Sequence, residues 1–434
     1  KRKISIKCEN IDPAKIDKEK MKKLRSSVLL LGSLSARFNN FNLIAPGGDI
    51  IGARPLGTHF DAMAKMGVEI TQNNDGYAIN ITERKITKVV LQEMSVTATE
   101  NVMMLASSLA GTTILRVAAI EPHVIDLGKF LVKMGAKIKG LGTHSLEITG
   151  NPALHGAKHK VIYDANEAAT FLILGVATRS PIIVKNAHED HLDLVLEKLR
   201  EFGADFKISK NSIEIVPTDN ITAVSKIDTR TYPGVPSDVQ APFGVLATQA
   251  NGKTLIHDSL YESRFKYINE LIKMGAHAQI LDPHRVEITG PKDLTGAEII
   301  SLDIRAGVAV IIAALVAFGK STINEIYQVD RGYETIEKRL KKLGADIKRV
   351  KIAETVEKVE KLEPLPAINQ PLEINSFSTD QLEKKPEIIQ EIIEREVKTD
   401  VNVSDPITIN ESKKDEEILP GNKEIPSPFL DDLK

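Results

Sequence analysis

The sequence predicts an α/β protein assembled from repeated βαβαββ units and followed by a non-repetitive tail. Two observations carry this. The segments "MAKMGVEI", "LVKMGAKI", "LREFGADF", "LIKMGAHA" and "LKKLGADI" share one pattern, an amphipathic helix end, a hydrophobe, glycine and a strand start. Their glycines, Gly67, Gly135, Gly203, Gly275 and Gly344, are spaced by 68, 68, 72 and 69 residues. A period this constant marks an architectural repeat. The second observation is a change of character near residue 353, beyond which Glu, Lys, Pro and Asn dominate and the repeat stops.

Each element of the unit follows from local chemistry. The glycine stands where a helix C-cap needs a left-handed residue. Alternating segments split by turn residues, as in "AKIKGLGTHSLEITG", predict a hairpin. A strand, the small-residue helix "ATENVMMLASSLAG", the strand "TTILRVA" and the helix "HVIDLGKFLVKMG" complete the period, with right-handed crossovers expected. Counting back one period from Gly67 reaches a point before Lys1, so "KRKISIK" reads as the last strand of a sixth unit. Six units, three per domain, would form a symmetric pair; five and a remnant are expected here.

At 434 residues the chain exceeds the ~250–300 at which one core stops growing. Domains are expected over 1–162 (lacking part of its N-terminal unit) and 163–352, with a disordered tail over 353–434. In that tail "KPEIIQEIIEREVK" reads as a short amphipathic helix, in a solvated linker or in a partner-binding segment whose partner is unknown. The net charge of −2 gives no general attraction to nucleic acid or anionic membrane. The longest apolar run, Ala306 to Phe318, falls short of the ~20 residues of a membrane span. One cysteine, Cys8, provides no intramolecular disulfide framework and fits a reducing, cytoplasmic compartment. Cys8 is read on a short strand without a histidine beside it.

Two motifs dissolve on inspection. "AFGKST" lacks the first glycine of a phosphate loop, since Ala314 stands there, and a helix precedes it; it reads as a helix stop. "HEDH" opens a helix with no third ligand nearby, so no metal is expected. The arginines carry more. Arg54, Arg264 and Arg331 are placed at starts of second helices of their units, and Arg25 and Arg305 at starts of first helices. Helix N-termini attract anions, and guanidinium forks add bidentate carboxylate or phosphate sites. Five in repeat register predict an anionic-ligand site.

The stretches "RSSVLLLGSLSARF", "PGGDIIGARP", "MSVTATENVMM", "EPHVIDLGKFLVKMGAKI", "PSDVQAPF", "ESRFKYINELIKMGAHA" and "VDRGYETIEKRLKKLGADI" together resemble the UDP-N-acetylglucosamine 1-carboxyvinyltransferases. The resemblance spans about residues 1–351. It implies the enolpyruvyl transferase fold, two inside-out α/β domains of repeated units. It also implies transfer of the enolpyruvyl group of phosphoenolpyruvate to the 3′-hydroxyl of UDP-N-acetylglucosamine with release of phosphate, and no cofactor. By resemblance, Asp238 is the candidate base and contacts the sugar. Arg54 would bind phosphate, and Arg305 and Arg331 would clamp the phosphoenolpyruvate carboxylate. Arg25, Arg54, Pro55, Leu56, Gly57, Thr58, Glu93, Met94, Ser95, Val96, Leu260 and Arg264 would line the substrate site.

Most of this family carries cysteine where this chain has Asp49, on the glycine loop, and the epoxide fosfomycin acts by alkylating that cysteine. The loop residue is expected to donate a proton and assist product release. Aspartic acid is the stronger acid (reference pKa ~3.9 against ~8.5), so donation near neutrality calls for desolvation beside bound phosphate. The family's phosphoenolpyruvate lysine and its asparagine partner fall in the unit counted as absent, and Gly57, Glu93 and Ala165 replace usual sugar-site residues. Two other readings remain at this stage: 3-phosphoshikimate 1-carboxyvinyltransferase, which should lack "PGGDIIGARP", and an inactive nucleotide-sugar-binding paralogue.

Overall fold

A computed structural model describes residues 3–350. The expectations for the tail, including its amphipathic helix, lie outside the described residues.

The repeat glycines cap their helices identically. In each case the glycine has positive φ (86° at Gly67, 115° at Gly135, 92° at Gly203, 94° at Gly275, 103° at Gly344). The Gly67 N–H donates to Ala64 O at 2.9 Å, and the Val68 N–H reaches back to Met63 O at 3.0 Å. The same double closure recurs at Gly135/Ala136, Gly203/Ala204, Gly275/Ala276 and Gly344/Ala345. These are Schellman caps, and the alanine that follows each later glycine is the small apolar residue that closes the turn.

Between the caps lie five sheets. The first segment comprises α1 (Lys18–Lys23), α2 (Leu30–Ser35), β1 (Asn40–Ile44), α3 (Gly57–Lys65), β2 (Glu69–Asn73) and β3 (Gly76–Asn80), with strand order β1-β3-β2. The second is the full unit: β4 (Lys88–Val90), α4 (Val96–Ala106), β5 (Thr112–Arg116), α5 (Pro122–Lys133), β6 (Lys137–Lys139) and β7 (Ser145–Thr149), ordered β4-β5-β7-β6. The third has α6 (Ala165–Ala177), β8 (Ile183–Lys185), α7 (Asp193–Glu201), β9 (Asp205–Ser209) and β10 (Ser212–Val216). The fourth repeats the second: β11 (Lys226–Thr229), α8 (Gln240–Gln249), β12 (Gly252–Asp258), α9 (Tyr267–Lys273), β13 (His277–Asp282) and β14 (Arg285–Gly290), ordered β11-β12-β14-β13. The last holds β15 (Glu298–Ile300), α10 (Ile304–Val316), β16 (Thr322–Asn324), α11 (Tyr327–Asp330) and α12 (Ile336–Lys342). In both full units the first two strands run parallel across a helix and the hairpin pairs antiparallel to the second strand, β4/β5 and β5/β7 in one and β11/β12 and β12/β14 in the other.

The small-residue helices are interior. Every residue of α8 from Gln240 to Thr248 is buried, and α8 packs on both α6 and α10. Helix α4 packs similarly on α2, α3 and α5. Gly, Ala and Thr let helices approach closely while Phe243, Leu246, Ile173 and Val310 fill the space between them. The sheets alternate buried and exposed residues, as in β10, so one face covers the helices and the other meets solvent. Two hydrophobic clusters result, one drawn from residues 21–148 and one from 168–340.

Three local expectations are corrected. Residues 3–8, Cys8 included, form no strand, and Ile4 and Ile6 are 87% and 78% exposed, so their alternation has no sheet to read it. Helix α3 begins at Gly57, three residues after Arg54. Arg331 sits at the C-cap of the four-residue α11 rather than at the start of α12, because Gly332 and Thr335 (φ 45°) interrupt the helix between them. "AFGKST" follows the end of α10, with Gly319 at φ 85°, as a helix stop. No helix among the described residues is long and apolar enough to cross a membrane.

Candidate active site

The loop joining β1 to α3 carries Asp49. Its carboxylate forms an ion pair with Arg331, from a segment 282 positions later. Arg331 also donates to Gln328 Oε1 at 2.9 Å and to Lys23 O at 3.3 Å. Arg54 Nη2 donates to Asp49 O at 2.9 Å, and Arg25 Nη2 to Arg54 O at 2.7 Å. The loop runs so close to α1 that a Cβ on Gly47 would sit 1.5 Å from Lys22 O. Three of the five arginines in repeat register are thus gathered around one loop. The neighbour expected for Asp49 was a phosphate held by Arg54; its carboxylate here belongs to Arg331.

Asp238 lies in the 3-10 turn Ser237–Val239 that leads into α8. Arg264 Nη2 donates to it at 2.7 Å, Arg305 Nε at 3.1 Å and Asn166 Nδ2 at 3.2 Å, and Arg305 Nη2 stands 3.0 Å away in the same ion pair. Burial would raise its carboxyl, but Arg305 and Arg264 outweigh that and hold it at about 2. Arg305 is itself braced. Its Nη1 donates to the Tyr333 hydroxyl at 3.0 Å, its guanidinium lies 5.5 Å from the Tyr333 ring centre, and that hydroxyl shares a hydrogen bond of 2.9 Å with Thr170. Burial alone would lower Arg305, but the Asp238 charge reverses this and pushes it above its ordinary value. At the head of α10, Asp303 accepts from the N–H groups of Arg305 and Ala306 at 2.7 and 2.8 Å, fixing where the guanidinium starts.

Residues 258–264 join the two clusters. Asp258 accepts from the N–H groups of Leu260 and Tyr261 and so shapes the turn. The Tyr261 ring lies 5.2 Å from the Arg264 guanidinium, and burial pushes its hydroxyl up against the pull of Arg264 and Arg54. Glu262 Oε1 accepts from the Ala53 N–H at 2.7 Å, and the Ser263 N–H donates to Ile51 O at 3.1 Å. The segment that places Arg264 on Asp238 therefore also grips the loop of Asp49.

The remaining expected residues border the loop. Pro55 and Leu56 lead into Gly57 and Thr58 at the head of α3, and Thr58 Oγ1 donates to Glu93 Oε1 at 3.1 Å. Ser95 N-caps α4, whose first residue is Val96, while Met94 and Leu260 stand 41% and 37% exposed. Arg25 opens a 3-10 turn and points to the Arg54 carbonyl. His59, buried on α3, shares a 2.7 Å hydrogen bond with Thr97; burial and Arg25 push it down to about 4, so it is neutral.

Residues 4–340 match the family model of EPSP synthase (3-phosphoshikimate 1-carboxyvinyltransferase). A UDP-N-acetylglucosamine 1-carboxyvinyltransferase of Koribacter versatilis is 40% identical over 343 residues, covering 79% of each chain. One of Campylobacter lari is 42% identical over 350 residues, covering 80% of this chain and 82% of its own. The chain belongs to the UDP-N-acetylglucosamine 1-carboxyvinyltransferase family. Its fold is the enolpyruvyl transferase fold: the enolpyruvyl transferase NikO of Streptomyces tendae superposes with a TM-score of 0.70 at 24% identity, covering 78% of this chain and 80% of that one.

Several members of these two clusters escaped sequence reasoning. Asn166, Tyr261, Glu262 and Tyr333 act through tertiary contacts and carry no spacing signal, although Glu262 and Tyr333 each lie two residues from a recognised arginine. A buried acidic pair was also missed. Glu100 on α4 is pushed up to about 7 by burial and by Glu121, whose own carboxyl is raised by burial. Among the described residues no group of three His, Cys, Asp or Glu is placed to hold a metal.

Proposed function

We propose that this chain transfers the enolpyruvyl group of phosphoenolpyruvate to the 3′-hydroxyl of UDP-N-acetylglucosamine and releases phosphate, the first committed step of peptidoglycan synthesis. The observation that carries the reading is the pair of arginine-held carboxylates, Asp238 and Asp49, tied together through residues 261–264. In the proposed reaction the sugar oxygen attacks C2 while its proton leaves to Asp238, and a proton is delivered to C3. The C2–O bond to phosphate then breaks, and C3 gives a proton back.

A carboxylate held at about 2 is a poor proton acceptor. We therefore assign Arg305 a double part: when a substrate carboxylate takes up its guanidinium, the restraint on Asp238 falls and the base strengthens. Arg331 serves the same substrate carboxylate once Asp49 lets go, and Arg54 holds the phosphate. Asp49, freed from Arg331, supplies or receives the proton at C3 and assists release. Arg25, residues 55–58, residues 93–96, Leu260 and Arg264 line the nucleotide-sugar side. The division between domains is placed near Ile162, with closure bringing the loop of Asp49 to Arg331 and to the 261–264 turn. Both substrates are polyanions that do not cross bilayers unaided, which supports a cytoplasmic site of action.

The test is phosphate release from phosphoenolpyruvate by the full chain. Release that requires UDP-N-acetylglucosamine supports the reading; faster release with shikimate 3-phosphate assigns the chain to the sister reaction, and binding of the nucleotide sugar without release makes it an inactive paralogue.

A further inference from the structure

Between Ala45 and Leu56 the loop has no regular structure, and Ile50 at its tip is 82% exposed. Such a segment holds one position only where specific contacts impose it. On its far side these are supplied by two consecutive residues of the 259–264 turn. Glu262 Oε1 accepts from the Ala53 N–H, and the Ser263 N–H donates to Ile51 O, so the loop backbone is gripped at both ends of Gly52. Gly52 is at φ 134°, and a Cβ there would lie 2.3 Å from Glu262 Oε2. The glycine thus makes room for this carboxylate in particular. The Ala53 N–H in turn holds the Glu262 carboxyl below its ordinary range.

We propose that Glu262 is a positioning residue for the loop, a latch that holds the backbone carrying Asp49 over the site and couples loop closure to the base. The coupling is covalent and short. Arg264, two residues on from Glu262, donates to Asp238 at 2.7 Å, so movement of the 261–264 backbone changes the grip on the loop and the hold on the base together. A charged acceptor on a backbone N–H is stronger than a neutral one, and Ser263 adds a second tether that no side-chain change removes.

Two readouts test this, and only one depends on the proposed function. Thermolysin cuts on the N-terminal side of Ile50 and Ile51, and its rate at these bonds reports loop release whatever the protein catalyses. In the full chain Glu262→Ala should raise that rate by roughly tenfold, the size expected for one lost charge-assisted hydrogen bond. Glu262→Asp, too short to reach, should behave like alanine while keeping the charge, whereas Glu262→Gln keeps an acceptor oxygen without the charge and should cut at a rate between parent and alanine. In the transferase assay the alanine variant should lose about tenfold in kcat, with KM for UDP-N-acetylglucosamine within about twofold, because a lid acts on the closed state. Parent-like cleavage of the alanine and aspartate variants overturns the latch, as does a glutamine variant that cuts as fast as alanine. Inactivity of the parent would overturn the functional reading and leave the cleavage result standing.

Discussion

Asp49 and Asp238 are both aspartates held by arginine, yet their surroundings differ in kind. Asp238 receives hydrogen bonds from three side chains on three separate segments, and one of these, Arg305, is braced by Tyr333 and Thr170. Asp49 has one side-chain partner among the described residues, Arg331, and sits on a loop without regular structure. Arg331 is steadied mainly by Gln328 and by the Lys23 carbonyl. A group with several mutually supporting partners is expensive to move, and one with a single partner exchanges readily. The first arrangement suits a base that must be aimed, and the second suits an acid that must come and go.

Removing the arginines breaks the contrast most sharply. Arg305→Ala and Arg331→Ala should each lower turnover by about 10²-fold or more, measured as phosphate release at saturating substrates. Their stabilities should part company. Losing Arg305 strips contacts from Asp238 and Tyr333 and should lower Tm clearly, while losing Arg331 should leave Tm nearly unchanged. Equal losses of Tm would erase the distinction between the two sites.

A second change probes the loop alone. Fosfomycin alkylates a thiolate, and a carboxylate is a far weaker nucleophile, so the parent should resist the epoxide. Asp49→Cys should become sensitive, with time-dependent inactivation and a covalent adduct on the new cysteine. An adduct on Asp49 of the parent would refute this.

Tyr333→Phe sharpens the account of the rigid site, since it keeps the ring beneath Arg305 and deletes one hydroxyl. Turnover should fall by roughly tenfold or more, the worth of one hydrogen bond to a charged group, and Thr170→Val should give part of the same loss. A loss confined to Tm would mean that the hydroxyl serves packing only.

The last effect, on stability alone, lies outside both clusters. Glu100 has its carboxyl raised to about 7 in the folded chain, against 4.5 ordinarily. The stability tied to its protonated form is complete below about pH 4.5 and is lost as pH rises through about 7. Glu100→Gln removes that dependence. The variant should match the parent near pH 4 and exceed it at pH 8 by at most about 3 kcal/mol, read as a rise in Tm. A gain of equal size at both pH values would rule out titration of Glu100 as its source.

What was legible in the sequence follows the range of the interactions. The five caps were readable because a Schellman turn is written in neighbouring residues, a hydrophobe, glycine and a second apolar residue, alanine in four of the five. The arginines were readable because the repeat places them in register. Their partners were not, since Asp49 meets Arg331 across 282 positions and Asp238 meets Arg305 across 67. Glu262 was hidden for another reason: its partner is a backbone N–H, which every residue but proline owns and no pattern marks. Ile4 and Ile6 misled in the opposite sense, because alternation predicts a strand only where a neighbouring strand exists to pair with.

The one thiol of the chain, Cys8, is exposed in an irregular segment, where its carbonyl accepts from Arg37 at 3.0 Å. With Asp49 on the loop, no thiol takes part in the proposed chemistry. Relatives that rely on a loop thiolate must keep it reduced, since peroxide would convert it to sulfenic acid and disulfide partners could cap it. Transferase turnover in this chain should survive hydrogen peroxide that silences Asp49→Cys, and remain independent of the redox poise around it.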